Sequence, residues 1–388
     1  MATVEQSLHE STRAPAWFLE FLKRELAPYP GRTGIVVRML VAATLVMIIC
    51  ETFRIPYAFE GVIYTLIISR KSPQATLQSA GTTLLFVGIG GAYVLISAGF
   101  VITVPILHFL WVIGSFFLAF YALSAMPNYS AASTFALVIA VGIPIWERHV
   151  SAQTNVADTL WLTLAVSVGA LVTAAIELAP SRAPILSEMQ NTVSLTPKAF
   201  TNSASTKVHL ALFRDMMQSK PLAPDAFVNP EHLRFAIRGC LAASGCYIIY
   251  NSIAWPSIGA PAIATCLLTA VSAVGASQQR QILRFAAFVL GGLLIGIGSE
   301  IFILPHLDSI GGFTLFFVVV MTLVSWLMTS SSRFSYFGFQ IAVVFCLINL
   351  QEFARQTSLA AARDRIVGVG LGLCMMWLVF DRLWKDQM

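Results

Sequence analysis

Long apolar segments follow one another along almost the whole chain, separated by short polar stretches. A membrane-spanning helix needs about 20 predominantly apolar residues, and twelve stretches approach that pattern, six before residue 180 and six after residue 230. They are 35–53, 57–70, 75–98, 101–124, 130–146, 157–178, 232–251, 257–276, 281–304, 310–329, 334–350 and 364–381. The pattern predicts an all-α polytopic membrane protein with about 12 transmembrane helices.

The two groups of apolar segments repeat one another. Matching residues lie 200 positions apart through most of the unit, and Asp364 follows Asp158 by 206 positions near its end. The matches fall on many Gly, Pro and Arg residues at this fixed spacing: Arg38 and Arg238, Ala42 and Ala242, Pro56 and Pro256, Thr65 and Thr265, Gly91 and Gly291, Pro105 and Pro305, and Phe116 and Phe316. Isolated coincidences would not keep one spacing, so the chain contains a duplicated membrane unit.

Composition identifies the solvent around these segments. Hydrophobic residues make up 57% of the chain and charged residues 11%, whereas a soluble domain carries about 25% charged residues. The chain cannot cover itself with a wetted surface, so lipid is the expected solvent. Its six cysteines lie in or beside apolar runs without metal-ligand spacing, and we expect no disulfide, metal or other cofactor. The net charge of +5 is spread over loops and does not indicate nucleic-acid binding.

Span number and charge predict the topology. An even number of spans returns the chain to its starting side, so the two units are expected to be parallel six-helix repeats. Lys and Arg concentrate in loops on one face, which places both termini and the linker in the cytoplasm. The predicted divisions are a cytoplasmic amphipathic segment (1–33), the first repeat (34–180), a cytoplasmic linker (181–230), the second repeat (231–384) and a tail (385–388). Residues 15–27 fit either a helix on the lipid surface or a solvated helix.

Signatures of soluble enzymes are missing from the sequence. There is no Walker loop, no Rossmann fingerprint after a strand and no pair of catalytic carboxylates with a nucleophile, so we expect no enzyme activity. Glycine-rich stretches lie inside apolar segments and have small-xxx-small spacing at Gly88 and Ala92, Gly292 and Gly296, and Gly368 and Gly372. Such spacing predicts close packing between helix backbones in lipid.

The second segment of each unit is the strongest pointer to a transport pathway. Only 13 residues separate Pro56 from Arg70, too few for a clean span, and Pro261 interrupts the counterpart. Short or Pro-broken segments at matching positions of two repeats favour a substrate site, because unwound backbone can face substrate instead of lipid. The pathway candidates here are Glu60, Gly61, Thr65, Pro261 and Thr265. Alternatively, Glu60 lies at the outer interface in the first turn of its helix, stabilised by the helix dipole.

Carboxylates in the apolar segments are candidates for proton coupling. An ionised carboxylate within the bilayer costs a few kcal/mol, and protonation or pairing relieves this cost, as a proton-coupled pump requires. Besides Glu60, the candidates are Glu51, Asp158, Glu300 and Asp364. Asp364 stands between Arg363 and Arg365, which favours a surface ion cluster, whereas Glu300 fits an interfacial or a functional position equally well.

Polar and basic residues complete the candidate set. Tyr336 and Gln340 share one face of the eleventh segment, where they line a pathway or form hydrogen bonds between helices. Arg38 and Arg238 lie one turn inside the first segment of each unit. They either extend to lipid headgroups or attract anionic substrates to the cytoplasmic mouth.

Several stretches resemble the fusaric acid resistance/aromatic acid exporter (FUSC-type) family, in particular its multidrug-resistance inner-membrane branch. In the first unit the similar stretch is RMLVAATLVMIICETFRIPY. In the second unit they are AFVNPEHLRFAIRGCLAASGCYIIYNSIAWPSIGA, QQRQILRFAAFVLGGLLIGI, TSSSRFSYFGFQIAVVF and RDRIVGVGLG. The resemblance extends over nearly all of residues 30–384. Members of the family usually carry sizeable helical cytoplasmic domains after each membrane half, whereas the linker here is short.

The resemblance implies an efflux component of the bacterial inner membrane, driven by the proton gradient and exporting aromatic acids or amphipathic drugs. It also implies a periplasmic adaptor and an outer-membrane channel as partners, and a homodimer. One alternative is a passive organic-anion channel, in which paired basic residues line a pore at a dimer axis and no carboxylate coupling is needed. Another is a non-transporting scaffold subunit of an efflux assembly, in which broken helices would serve no purpose.

Overall fold

A computed structural model shows helices as the only regular secondary structure in the residues that it describes. These are residues 27, 29, 31–69, 72–148, 150–179, 222–273, 286–307, 309–350 and 359–383. The first unit comprises α1 (Arg32–Thr52), α2 (Ala58–Ile68), α3 (Pro73–Val101), α4 (Pro105–Ala125), α5 (Tyr129–Trp146) and α6 (Ala152–Leu178). The predicted amphipathic segment, linker and tail lie mostly or wholly outside the described residues.

The second unit follows the same order with more irregular helices. It comprises α7 (Pro230–Ser252), a 3-10 turn (Pro256–Ile258), α8 (Gly259–Ala273), α9, α10 (Ile310–Met328), α11 (Ser332–Asn349) and α12 (Leu359–Trp377), which continues as a π-helix (Leu378–Leu383). Helix α9 consists of a π-helical stretch (Val289–Ile297) and the α-helical turns that follow it (Gly298–Phe302). The sequence pattern predicted a helix here but not its π-helical form.

Seven helical segments are long and apolar enough to cross a membrane: α1, α3, α4, α6, residues 286–306 around α9, α10, and α12 with its π-helical extension. The protein is therefore an all-α multi-pass membrane protein. The apolar helices α2, α5, α8 and α11 are shorter than a span. They carry long runs of buried residues, so longer helices shield them from lipid. The 12-span count, the parallel repeats and the cytoplasmic termini stay predictions.

Side-chain caps and prolines fix where several helices begin. The Ser72 hydroxyl accepts a hydrogen bond from the Ala75 amide at 3.2 Å, and Asn128 accepts from the first amides of α5. Ser151, Asn229, Ser309 and Ser331 cap α6, α7, α10 and α11 in the same way. These side chains satisfy amides that have no partner within the helix, which defines boundaries that hydropathy alone leaves vague.

Corresponding helices of the two units make corresponding contacts. Helix α1 packs on α2 and α6, as α7 packs on α8 and α12. Between units, α4 packs on α7 and α10 on α1, while α5 packs on α8 and α11 on α2. The turns that end α1 and α7 also match, because Arg54 (φ 52°) and Ala254 (φ 53°) are both left-handed and lie 200 positions apart. In each turn the following amide donates to a carbonyl five residues back, at 2.8 and 2.9 Å, the pattern of a Schellman motif.

The prediction of close helix packing at the spaced glycines is confirmed in the second unit, but it is wrong for Gly88 in the first. A Cβ atom at Gly368 would lie 2.6 Å from the carbonyl oxygen of Ile258, and Gly292 and Gly372 are also tightly packed. Gly88, by contrast, faces open space. In that helix Gly90 packs closely on Val138 instead, because positions two apart on an α-helix point in very different directions.

The sequence predicted a helix interruption at Pro261, but the irregular backbone lies a few residues earlier in the chain. Helix α8 begins at Gly259, so Pro261 occupies its first turn, where a backbone N–H has no intrahelical partner. The irregular backbone is instead the 3-10 turn at Pro256–Ile258. The second unit therefore starts α8 at a turn rather than breaking a helix in its middle.

Candidate functional site

Helix α2 lies entirely inside the protein. All 11 of its residues are buried, and it packs on α1 and α6 of its own unit and on α11 of the other. Its first residue follows Tyr57, whose φ of 64° is left-handed. An 11-residue helix cannot span the bilayer, and such short elements are tolerated where protein rather than lipid surrounds them.

Glu60 places a carboxylate within this buried helix. The residue is 6% exposed and lies in the first turn of α2, close to the Cys346 thiol of α11. The first-turn position is the one expected of an interfacial residue stabilised by the helix dipole, but its burial between the two units is not. A carboxylate in such surroundings is stable when protonated or when a cationic group approaches it.

The neighbouring candidates on α2 and α8 lie at close contacts between helices. A Cβ atom on Gly61 would lie 2.8 Å from the Ala165 carbonyl oxygen of α6, so α2 and α6 meet at backbone distance. The Thr65 hydroxyl donates to the Val62 carbonyl of its own helix at 2.6 Å. Pro261 and Thr265 lie against glycines of α12. The short helices are thereby fixed firmly to the last helix of their own unit.

Glu300 is the second buried carboxylate of the candidate set. It is 5% exposed in α9, and both of its carboxylate oxygens lack a hydrogen-bond partner among the described residues. The adjacent Ser299 hydroxyl lies 2.7 Å from the Gly296 carbonyl and 3.2 Å from the Asn349 side-chain oxygen of α11. Helix α11 contacts both α2 and α9, so it is a neighbour of both helices that carry a buried carboxylate.

The polar pair on α11 is buried as well. The Tyr336 hydroxyl donates to the Gln340 side-chain oxygen at 3.3 Å, and Gln340 is 1% exposed. The two share one helix face, as their spacing of four residues predicted, but the bond between them lies within α11. Their part in a pathway stays a prediction. Gln340 lies on the helix that packs against α2.

Arg38 has an acidic neighbour that the sequence did not reveal. Its Nε atom lies 3.3 Å from Glu177 Oε1 of α6, within ion-pair distance but without hydrogen-bond geometry. The Glu177 side chain is 4% exposed and that of Arg38 is 32% exposed. The charge of Arg38 is therefore largely compensated. Arg238 is half-buried at the matching position of α7.

A polar cluster joins the turns before the two short helices to the helices that close each unit. Arg148 bonds to Asp158 at 2.5 Å and to the Tyr57 hydroxyl at 3.3 Å. In the second unit Ser257, the counterpart of Tyr57, donates to Asp364 at 2.5 Å. Asp158 and Asp364 also occupy corresponding positions in the two units. The recurrence of an acid at this position of both units is a sequence signal by which the cluster could have been found. Burial raises the pKa of the Tyr57 phenol, and the Arg148 charge opposes this.

The ion cluster expected around Asp364 is present. Arg363 bonds to Asp364 through Nε at 3.0 Å and Nη2 at 2.8 Å, and its guanidinium lies 4.9 Å from the Trp255 ring centroid. Arg365 Nη1 lies 3.4 Å from the Ser257 carbonyl oxygen. Asp364 is therefore held by neutralising partners.

Comparison with known proteins shows similarity over part of the chain. It is 32% identical over 167 residues to the multidrug resistance protein MdtO of Escherichia coli strain K12, a match that covers 43% of this chain. The Shigella flexneri MdtO is 31% identical over the same length. In both cases the chain spans 24% of the relative's length. No family model matches the sequence, and no solved structure matches it.

Helices are the spanning elements of the bacterial inner membrane. Seven helices of spanning length and composition and homologues among the MdtO multidrug resistance proteins of two bacteria lead to one conclusion. The chain is a multi-pass inner-membrane protein related to MdtO.

Proposed function

We propose that the protein is an efflux component that exports aromatic acids or amphipathic drugs in exchange for protons, as a member of the fusaric acid resistance/aromatic acid exporter family. Its membrane part consists of two parallel six-helix repeats with cytoplasmic termini. The relatives are named for multidrug resistance, which supports export of drug-like compounds. Because the chain spans 24% of their length, its substrates, a periplasmic adaptor, an outer-membrane channel and a homodimeric state are part of the proposal.

The packing between units supports the two-repeat architecture. The contact of α4 with α7 corresponds to that of α10 with α1, and the contact of α5 with α8 corresponds to that of α11 with α2. Exchange of the units therefore preserves the set of neighbours, as it does for parallel repeats related by an axis along the membrane normal. The matched turns at Arg54 and Ala254 support the same arrangement.

Buried Glu60 is the observation that carries the proposal of proton coupling. It lies in a helix too short to span, at the contact between the two units. Protonation removes the cost of burying its charge, while the ionised form requires water or a cation. A movement of one unit relative to the other would change access to this carboxylate. Glu60 could thus bind a proton from one side and release it to the other.

Transport in proteoliposomes tests this role. The purified full chain is reconstituted into liposomes that are loaded with radiolabelled benzoate. The flux of benzoate across the membrane is then measured with and without a pH gradient. We expect gradient-driven flux in the unmodified protein and in Glu231→Gln, a control that removes an exposed acid of α7. Glu60→Gln should abolish the response to the gradient. If collapsing the gradient leaves flux unchanged and Glu60→Gln has no effect, coupling through Glu60 is wrong.

The ion pair at Arg38 weakens the case for an anion channel. Such a channel needs basic side chains that present uncompensated charge to the pore, whereas Arg38 lies 3.3 Å from Glu177. Anion currents across planar bilayers, measured for the unmodified protein and for Arg38→Gln with Arg238→Gln, test the channel directly. Currents that need both arginines and no pH gradient would favour the channel over the exporter.

A further inference from the structure

An elongated apolar groove lies between α9, α10 and α11. Its volume is about 600 Å³, within the range of roughly 300–1,000 Å³ that is typical of small-molecule sites. It follows α9 from Leu290 to Ile303 and α10 from Phe316 to Leu327. At about 1.5 Å per helical residue, the groove extends for roughly 16 Å along the helices.

The groove opens toward lipid. Leu294, Phe302 and Leu323 lie on its rim and are 65%, 73% and 60% exposed. In a membrane protein, exposed apolar side chains on spanning helices face hydrocarbon. A molecule can therefore enter the groove sideways from the bilayer.

The lining selects hydrocarbon over polar groups. Among the described lining residues, Ser299 and Trp326 alone have side chains with hydrogen-bonding atoms. The Ser299 hydroxyl already lies within hydrogen-bond distance of Gly296 and Asn349. The Trp326 ring lies 4.1 Å from the guanidinium of Arg32. A polar ligand group would lose its own hydrogen bonds here, whereas an aliphatic chain would lose none.

In the first unit, two hydrogen bonds join the helices that correspond to α9 and α10. Between α3 and α4, the Tyr93 and Ser115 hydroxyls are 2.8 Å apart, and Trp111 Nε1 donates to Ser97 Oγ at 2.8 Å. The residues 200 positions later are Leu293, Leu315, Ile297 and Gly311. None of these side chains can form such a bond. The second unit, where the groove is found, therefore lacks the residues that form both of these hydrogen bonds.

We propose that this groove binds one aliphatic chain taken from the membrane. The occupant is an acyl chain of a membrane phospholipid, because the groove opens toward the hydrocarbon of the bilayer. The site differs from the candidate pathway at Glu60 and does not depend on transport. Its shape, apolar lining and lateral opening together favour an extended hydrocarbon over a compact aromatic molecule.

Photo-crosslinking tests the proposal on the purified full chain in lipid nanodiscs. The probe is palmitic acid with a diazirine in its chain, and labelled peptides are identified by mass spectrometry. We expect labelling within 290–303 and 316–327. Leu323→Trp, at the rim, should lower it several-fold, whereas Leu171→Trp should leave it unchanged. Leu171 is a matched control because it is 56% exposed on α6, away from the groove.

A second variant introduces into the second unit one of the hydrogen-bonding pairs of the first. Ile297→Ser with Gly311→Trp recreates the Ser97–Trp111 pair, and a Cβ at Gly311 meets no atom closer than 4.0 Å. This variant should also lower labelling several-fold. Raising the ratio of phospholipid to probe should lower the labelling, whereas displacement by dodecylphosphocholine but not by phospholipid would overturn the assignment to a phospholipid chain. Labelling that neither competitor displaces, or that stays equal in all variants, would overturn the proposal.

Discussion

The Tyr250 hydroxyl donates a hydrogen bond to the Glu147 carboxylate across the boundary between the two units, with 2.5 Å between the oxygen atoms. Tyr250 is 1% exposed near the end of α7, and Glu147 directly follows α5. The Asn251 amide lies 3.5 Å from the same carboxylate oxygen. The Tyr250 and Asn251 side chains of the second unit therefore both contact one acid of the first.

Removing this bond should loosen the contact between units. Tyr250→Phe keeps the ring but removes the hydroxyl that donates to the Glu147 carboxylate at 2.5 Å, and a hydrogen bond to a charged group contributes about 1.5–3 kcal/mol. The control Tyr93→Phe removes a neutral bond to Ser115 within one unit, which contributes about 1 kcal/mol. Thermal unfolding in detergent should therefore show the larger fall in midpoint for Tyr250→Phe. Equal shifts would contradict a special role for the pair.

Because α2 and α6 meet at backbone distance, adding one methyl group at Gly169 should strongly lower the stability of the protein. A Cβ on Gly169 would collide with the Gly61 carbonyl oxygen, and overpacking of this kind costs about 1–3 kcal/mol. Gly114 has no atom within 4 Å of the same position, so Gly114→Ala should be neutral or slightly stabilising. Fluorescence-detected size-exclusion profiles after a heating series compare the two variants. A Gly169→Ala protein as stable as Gly114→Ala would show that α2 and α6 do not meet there.

Local sequence signals predicted several helices closely. The segments predicted at 130–146 and 310–329 are observed as α5 (Tyr129–Trp146) and α10 (Ile310–Met328). Both are continuous apolar runs, and Asn128 and Ser309 cap their first turns. Apolar periodicity and caps act over one or two turns, so they can be recognised without knowledge of the neighbouring helices.

Contacts between distant helices could not be predicted in the same way. Glu147 and Arg32 lie at helix ends, where charged residues are common, and their sequence context does not distinguish a buried from a solvated position. Their partners Tyr250 and Trp326 come from the other unit. Gly88 was misplaced for a related reason, because small-residue spacing does not specify which face of a helix meets its neighbour.

The ion pair of α1 and α6 predicts a rescue between two substitutions. Arg38→Gln leaves Glu177 buried without its cation, and breaking a buried pair costs about 3–5 kcal/mol; the partial exposure of Arg38 makes the lower end the expected value. Adding Glu177→Gln removes the isolated charge and should restore most of the thermal stability. The exposed pair Arg234 and Glu231 is the control, with little effect expected from Arg234→Gln. A double variant no more stable than Arg38→Gln would contradict the pairing.

Parallel repeats predict that matching loops face the same side of the membrane. Ile106 is in the first turn of α4 and His306 ends a 3-10 turn just before α10. They lie 200 positions apart at matching ends of the two units, and both are exposed. In a cysteine-free background, Ile106→Cys and His306→Cys should both react with a membrane-impermeant maleimide added to intact spheroplasts. Pro127→Cys lies in an exposed loop on the predicted cytoplasmic side and should react only after permeabilisation. Labelling of Ile106→Cys and His306→Cys from opposite sides would indicate inverted repeats. The matching contacts between the two units would then be related by an axis in the membrane plane instead of one along the membrane normal.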